Sequence, residues 1–193
     1  GNMNADNETL QFVEQLKEEV SGKGNFVIGH SDVDLMIYDS EGNRIVRKQE
    51  TNIGDFCADA LRSFTDADIA MVNGGGIRTN IKRGEILFND LYNVMPFGDM
   101  IATGTFYGEQ LLDVLEFAVS ALPTEAGTFM QVSGLRFTVD PDIPSPVMKD
   151  TETGMFSHVG EGERRISHVE ILDKQSGEYK AVELSRQYTI ATL

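Results

Sequence analysis

With 193 residues and 40% hydrophobic side chains, the chain can bury one good core, enough for one domain with an appended helix. Its formal net charge of −15 argues against nucleic-acid polymers and anionic membranes as partners, because both call for basic surfaces that release counterions. No apolar run approaches the length of a membrane span, and the single cysteine, Cys57, excludes an internal disulfide framework without fixing the compartment.

The pattern divides into residues 1–24, a polar tail and a helix, and residues 25–193, the domain proper. Leu10 to Val20 carries apolar residues at helical spacing, and Ser21-Gly22 and Gly24 end it. Phe26 to Tyr38 reads as extended, with Val33, Leu35 and Ile37 on one face and a Glu41-Gly42-Asn43 turn after it. Asn52 to Arg62 is a helix that buries Cys57, and Asp66 to Val72 is an apolar strand. Leu87 to Val94 is a short helix that Pro96 stops. A strand over Met100 to Phe106 leads into a helix from Gly108 through Leu122, whose Leu111, Leu112, Leu115 and Val119 face inward. Further strands are expected at Leu135–Val139, Ile166–Leu172, Tyr179–Leu184 and Tyr188–Thr192. Between the first two of these, Asp140 to Gly162, with Pro141, Pro144 and Pro146, reads as a long surface loop. Helices and strands alternate early and strands dominate late, so the fold class is α+β (mixed α/β), a mixed sheet flanked by helices.

The most informative segment is Asn73-Gly74-Gly75-Gly76-Ile77-Arg78. Three glycines where a strand ends make a bare-backbone turn that a polar ligand can approach closely, and Arg78 and Asn73 flank it. A purely structural turn is the competing reading. It is not a P-loop, since no Gly-Lys-Ser/Thr follows at the required spacing. In an acidic chain a small anion needs a local arginine pocket, which gives weight to Arg78 and to Arg47, shortly before the Asn52 helix. Phe97, between Pro96 and Gly98, offers a ring on which a planar ligand stacks; its alternative is the core. His30, Asp32 and Asp34 alternate on one side of an extended segment, either a hard-metal site or the solvated face of a strand, and the second reading is preferred. His158 and His168 read as surface residues, and no Gly-x-Ser-x-Gly elbow supports nucleophilic catalysis.

Four segments in order, Glu50-Thr51-Asn52-Ile53-Gly54-Asp55, Asn73 to Arg78, Val94-Met95-Pro96-Phe97-Gly98 and Tyr188 to Leu193, resemble the C-terminal domain of the 5′-nucleotidase and UDP-sugar hydrolase family. The resemblance covers roughly Ile28 to Leu193. It implies a domain that binds the nucleoside part of a nucleotide, with Arg47, Asn73, Gly74, Gly75, Gly76, Arg78, Phe97 and Gly98 as substrate contacts and no catalytic or metal-binding residue of its own. It also implies a partner on the same polypeptide, an N-terminal metallophosphoesterase domain with two divalent metal ions. The helix Glu8 to Val20 resembles the linker between the two, and the family is extracytoplasmic: periplasmic, secreted or at the cell surface. The motifs are shared by relatives acting on 2′,3′-cyclic nucleotides or UDP-sugars, and a free-standing binding or adhesion module is the alternative from another class.

Two departures from the family pattern carry expectations. No Asp-x-His or Gly-Asn-His metal-ligand motif stands upstream, so no phosphatase activity is expected of this chain alone. The sequence stops at Leu193, before the Gly-Gly-Asp-Gly stretch that brings the family's second stacking aromatic, so weak binding and an incomplete sheet edge near the C-terminus are expected.

Overall fold

The computed structural model describes Gln11 and residues 24–193, so the expected helix over Glu8 to Val20 lies almost wholly outside the described residues. The elements in chain order are β1 (Val27–Ser31), α1 (Asn52–Thr65), β2 (Ile69–Asn73), β3 (Gly84–Leu87), α2 (Phe88–Val94), β4 (Ala102–Tyr107) and α3 (Gly108–Ala118). They are followed by β5 (Met130–Ser133), β6 (Leu135–Val139), β7 (Val147–Lys149), β8 (Phe156–Val159), β9 (Ile166–Leu172), β10 (Tyr179–Ala181) and β11 (Gln187–Thr192).

A four-stranded sheet of order β4-β11-β2-β5 forms the centre. β11 runs parallel to β2 and antiparallel to β4, and β5 closes antiparallel on β2, so the sheet is mixed as expected. The apolar run of β2 is continuous because both of its faces are covered. Ala70 and Val72 meet Ile53, Cys57, Ala58 and Leu61 of α1, while Ile69 and Met71 join Leu111, Leu115 and Val119 on the α3 side. The side chain of Thr51 caps α1 by accepting from the Gly54 amide at 3.2 Å, and Asp66 in the left-handed region (φ 50°) ends it. A second sheet, β10-β9-β6, lies beside the α3 core, and β1-β3 and β7-β8 are separate pairs.

The structure departs from the sequence reading in five places. The first strand ends at Ser31, whose hydroxyl turns back onto the Val33 carbonyl at 2.7 Å; Val33 therefore points out, 56% exposed, while Leu35 and Ile37 stay buried. The segment from Met36 is held instead by side chains: the Met36 amide donates to Asn52 Oδ1 at 2.9 Å and the Ile37 amide to Asn80 Oδ1 at 2.7 Å. β3 and β5 were not expected, since each is only four residues and sits against a helix or a turn. The proline-rich insert is not loop throughout. It folds a hairpin, β7-β8, whose turn is set by Asp150 accepting from the Glu152 and Thr153 amides, and Phe156 packs on Phe117 of α3 with ring centroids 5.3 Å apart. The strand begun at Tyr179 stops at Ala181, because the Glu183 amide is taken by the Tyr188 hydroxyl at 3.0 Å. The C-terminal strand β11 is no sheet edge either, being paired on both sides by β4 and β2.

Candidate functional site

The sheet brings the quoted residues together at the C-terminal end of β2. Asn73 closes that strand, and the Gly76 amide donates to the Asn73 carbonyl at 2.9 Å, which tightens the glycine turn. Gly74 is required by close packing. A Cβ there would lie 2.1 Å from the Val46 carbonyl oxygen, so the turn presses directly on the segment that carries Arg47. The turn is thus structural: Gly74 and Gly76 are buried, Gly75 is half-buried, and the three glycine amides are taken by the Phe129, Gly127 and Asn73 carbonyls.

A loop over residues 124–128 forms the other wall. The Gly127 carbonyl accepts from the Gly75 amide at 3.2 Å and from the Asn73 side chain at 3.4 Å, and the Ala126 amide donates to the Arg47 carbonyl at 3.1 Å. The sequence reading passed over this loop, which has no motif beyond a single glycine.

Arg78 is exposed but not loose. Its amide donates to the Val94 carbonyl at 2.9 Å, its Nη1 to the Gly75 carbonyl at 3.0 Å, and its guanidinium carbon stands 5.7 Å from the centroid of the Phe97 ring. Phe97 follows the end of α2 and is 61% exposed, which overturns the core reading of it. Gly98 beyond it takes φ +66°, a conformation that turns the chain away and leaves the ring uncovered.

Arg44 is the residue that sequence reasoning missed. It stands three positions before Arg47, and that spacing was the available signal. Its Nη2 donates to the Ile77 carbonyl at 3.3 Å, while the buried Nε atoms of both Arg44 and Arg47 have no hydrogen-bond partner. Burial first, then the like charges of Arg47 and Arg78, hold the Arg44 guanidinium below its ordinary pKa; Glu125 and Tyr38 pull it the other way. None of the three arginines forms an ion pair among the described residues. A cluster of cations with orphaned buried donors beside an exposed aromatic ring is chemically suited to a ligand with an anionic group and a planar group.

The remaining candidates organise differently. His30 lies 3.7 Å from Asp32, but Asp34 is engaged by Lys82 Nζ at 3.2 Å and the Arg83 amide at 2.8 Å, so the three do not converge. No group of three or more His, Cys, Asp or Glu able to hold a metal ion occurs among the described residues. Cys57 is buried and its thiol is pushed up to about 12 by that burial, which makes it a poor nucleophile at neutral pH. A separate cavity of about 540 Å³ opens between α1 and the β5–β6 segment, lined by Glu50, Asp55, Asp59, Phe129 and Phe137 with Lys48 and Arg136. Glu50 and Asp55 belong to the first of the four family-like segments, but none of Arg47, Asn73 to Gly76, Arg78, Phe97 and Gly98 lines it, and its mixture of charges selects no ligand class.

These features describe an α+β domain with a cationic, aromatic-edged surface at the end of its central sheet. A family model described as "5'-nucleotidase, C-terminal domain" matches residues 27–193, and the chain belongs to that family. Among curated relatives, the trifunctional nucleotide phosphoesterase protein YfkN of Bacillus subtilis is 37% identical over 136 residues, covering 68% of this chain and 9% of its own length. A 5′-nucleotidase of Vibrio parahaemolyticus is 33% identical over 138 residues, 71% of this chain and 24% of its own length. Among solved structures, a 5′-nucleotidase precursor from Thermus thermophilus matches 94% of this chain and 32% of its own with a TM-score of 0.75 and 28% identity. The chain therefore spans about a third or less of the length of these relatives. No helix among the described residues is long and apolar enough to cross a membrane.

Proposed function

We propose that this chain is the substrate-recognition domain of a hydrolase acting on nucleoside 5′-phosphates, holding the base against Phe97 and the anionic part of the nucleotide against Arg44, Arg47 and Arg78. The observation that carries this reading is the pair of buried, unpartnered guanidinium nitrogens on Arg44 and Arg47, beside an arginine that already bridges to an exposed ring. Holding these guanidinium groups close together without a carboxylate partner costs free energy, and an anion drawn to the cluster offsets the like-charge part of that cost. Asn73 and Gly75, both half-buried, border the space between, with Gly74 and Gly76 buried behind them and Gly98 keeping the ring free.

This assignment gives the domain more of the substrate than the nucleoside part that the sequence resemblance implied, since the arginine cluster is suited to the phosphate. In the whole protein the phosphomonoester would be hydrolysed in an N-terminal metallophosphoesterase domain holding two divalent metal ions. The described residues of this chain offer no ligand set that fits such ions, so its share of the work is binding and orientation. Names of relatives such as 5′-nucleotidase and nucleotide phosphoesterase support the substrate class, and an extracytoplasmic location follows by the same analogy.

Titrating adenosine and adenosine 5′-monophosphate into the chain while following amide resonances tests the assignment. Shifts are expected at Arg78, Phe97 and Gly127 with both ligands, and at Arg44 and Arg47 only with the phosphorylated one. Shifts confined to the cavity beside Asp55 would overturn it.

A further inference from the structure

The stretch from Val46 to Thr51, which carries Arg47 toward the cap of α1, belongs to neither a helix nor a strand. It opens on one tight turn, in which the Lys48 and Gln49 amides both donate to the Ile45 carbonyl at 2.8 Å. Three further backbone groups of the stretch meet on a single side chain. Gln131 of β5, only 1% exposed, donates through Nε2 to the Val46 carbonyl at 2.9 Å and to the Gln49 carbonyl at 2.7 Å, and its Oε1 accepts from the Thr51 amide at 3.0 Å. Two carbonyls on one side and an N–H on the other fix which end of the amide is nitrogen and use both of its donors. Gly54 makes room for it, since a Cβ there would stand 2.1 Å from Oε1. Gln131 also lies opposite Val72, one residue before Asn73, so it is rooted in the sheet that delivers the glycine turn.

We infer that Gln131 is a positioning residue: by clamping the chain on both sides of Arg47 it sets where that residue stands against the glycine turn, and so governs binding of the anionic part of the nucleotide without reaching the ligand itself. Immediately before Arg47 it holds the Val46 carbonyl, the same carbonyl on which Gly74 packs, and after it the Gln49 carbonyl and the Thr51 amide. The Arg47 carbonyl between them accepts from the Ala126 amide at 3.1 Å, so the backbone of this residue is fixed from two directions. Phe97 stands on a separate segment after α2, to which Gln131 makes no hydrogen bond. Losing the amide therefore leaves two carbonyls and one N–H around Arg47 to find new partners while the ring keeps its place. A charge-assisted contact is sensitive to that displacement. This inference rests on the nucleotide reading above and names the support on which its anion contact depends.

The test is calorimetric titration of adenosine and AMP into the wild-type chain, Gln131→Met, Arg47→Met and the double variant. Gln131→Met keeps the length of the side chain and removes its hydrogen bonds. AMP is expected to bind it roughly tenfold more weakly while adenosine stays within about twofold, and in the Arg47→Met background the same substitution is expected to change AMP binding by no more than about twofold. A purely structural Gln131 would weaken both ligands alike and add its full loss to that of Arg47→Met; either result overturns the inference and leaves the nucleotide site standing, as does AMP binding that Gln131→Met leaves unchanged. If thermal denaturation shows that Gln131→Met does not fold, Gly54→Ala carries the same test. It keeps every polar group and favours the helix, but its methyl group displaces Oε1, and AMP is expected to weaken about threefold with adenosine unmoved; equal changes in the two ligands, or none, overturn the inference. An Arg47→Met variant that binds AMP as the wild type does, or a wild-type chain that binds neither ligand, overturns the use of Arg47 in the nucleotide reading and this inference with it.

Discussion

Two regions of this domain bury the nitrogens of arginine side chains, and they do so in opposite ways. Arg165, only 8% exposed, donates through Nε to the Ile143 carbonyl at 2.6 Å and through Nη1 to Val119, Ser120 and Leu122 at 3.2, 3.3 and 2.8 Å. It therefore fastens the insert to the carbonyl-rich end of α3, where a cation also meets the negative pole of the helix. The fully buried Glu116 beside it accepts from the Arg165 and Ile166 amides at 3.0 and 3.3 Å. Arg44 and Arg47 have no such arrangement: the Nε of each is buried without a partner, and whereas Arg164, whose Nη1 is also unpartnered, is balanced by the Asp113 carboxylate, they have no ion-pair partner among the described residues. A buried charge whose bonds are complete holds the fold together. One whose bonds are open costs stability and is explained by what it waits for.

The sharpest way to break this contrast is to remove one arginine from each region. Arg165→Ala leaves the Ser120, Leu122 and Ile143 carbonyls without their donor and the Val119 carbonyl with the Leu122 amide alone, and a destabilisation of about 3–5 kcal/mol is expected in urea denaturation. Arg47→Met removes an orphaned donor and the like-charge interaction with Arg44 while keeping the aliphatic stem. Its stability is expected to stay within about 1 kcal/mol of wild type or to rise, while AMP affinity falls by about 1.5–3 kcal/mol in calorimetry. Equal destabilisation by the two substitutions would show Arg47 to be structural.

Phe97 sharpens the same comparison from the aromatic side. Its 61% exposure and single cation–π neighbour predict that Phe97→Ala changes stability by no more than about 0.5 kcal/mol, whereas Phe129, 8% exposed just after the 124–128 loop, belongs to the core. Loss of a stacking ring is expected to weaken adenosine and AMP equally, by about 1–3 kcal/mol. A loss confined to AMP would assign Phe97 to fixing Arg78 instead of stacking the base.

What the sequence disclosed follows from how local its signals were. The α1, α2 and α3 helices and the strands β2, β6, β9 and β11 were legible because their apolar period and their stops lie within one segment. β3 and β5 were not, because four-residue strands draw their identity from partners far along the chain: Ile86 stands opposite Gly29, and Gln131 opposite Val72. At the site the glycine turn, Arg78 and Phe97 announced themselves by composition. The reason for Gly74 did not, since it depends on the Val46 carbonyl 28 positions earlier. The wall formed by residues 124–128 was invisible for the same reason: its role rests on backbone bonds to Arg47 and to the glycine turn, and a backbone bond leaves no mark on residue type.

Asp55 gives the smallest effect and stands between the two kinds of buried charge. It is partly buried on α1 beside the large cavity, and burial first, then the charges of Glu50 and Asp59, raise its pKa to about 6. Because the folded-state value lies above the ordinary carboxylate value, the native state holds this proton more tightly than the unfolded chain does. The contribution to stability is therefore present at low pH and is lost as pH rises through about 4 to 6. Asp59 relieves only itself, by accepting from the Ser133 hydroxyl at 2.5 Å. Asp55→Asn is expected to flatten the decline in stability across that window and to leave the protein slightly more stable than wild type at pH 7, by an amount that solvent screening keeps small. AMP affinity should not change, because Asp55 lines the cavity and not the arginine cluster. A variant that bound AMP more weakly would join the two surfaces into one site and would bring the carboxylates beside α1 into its charge balance.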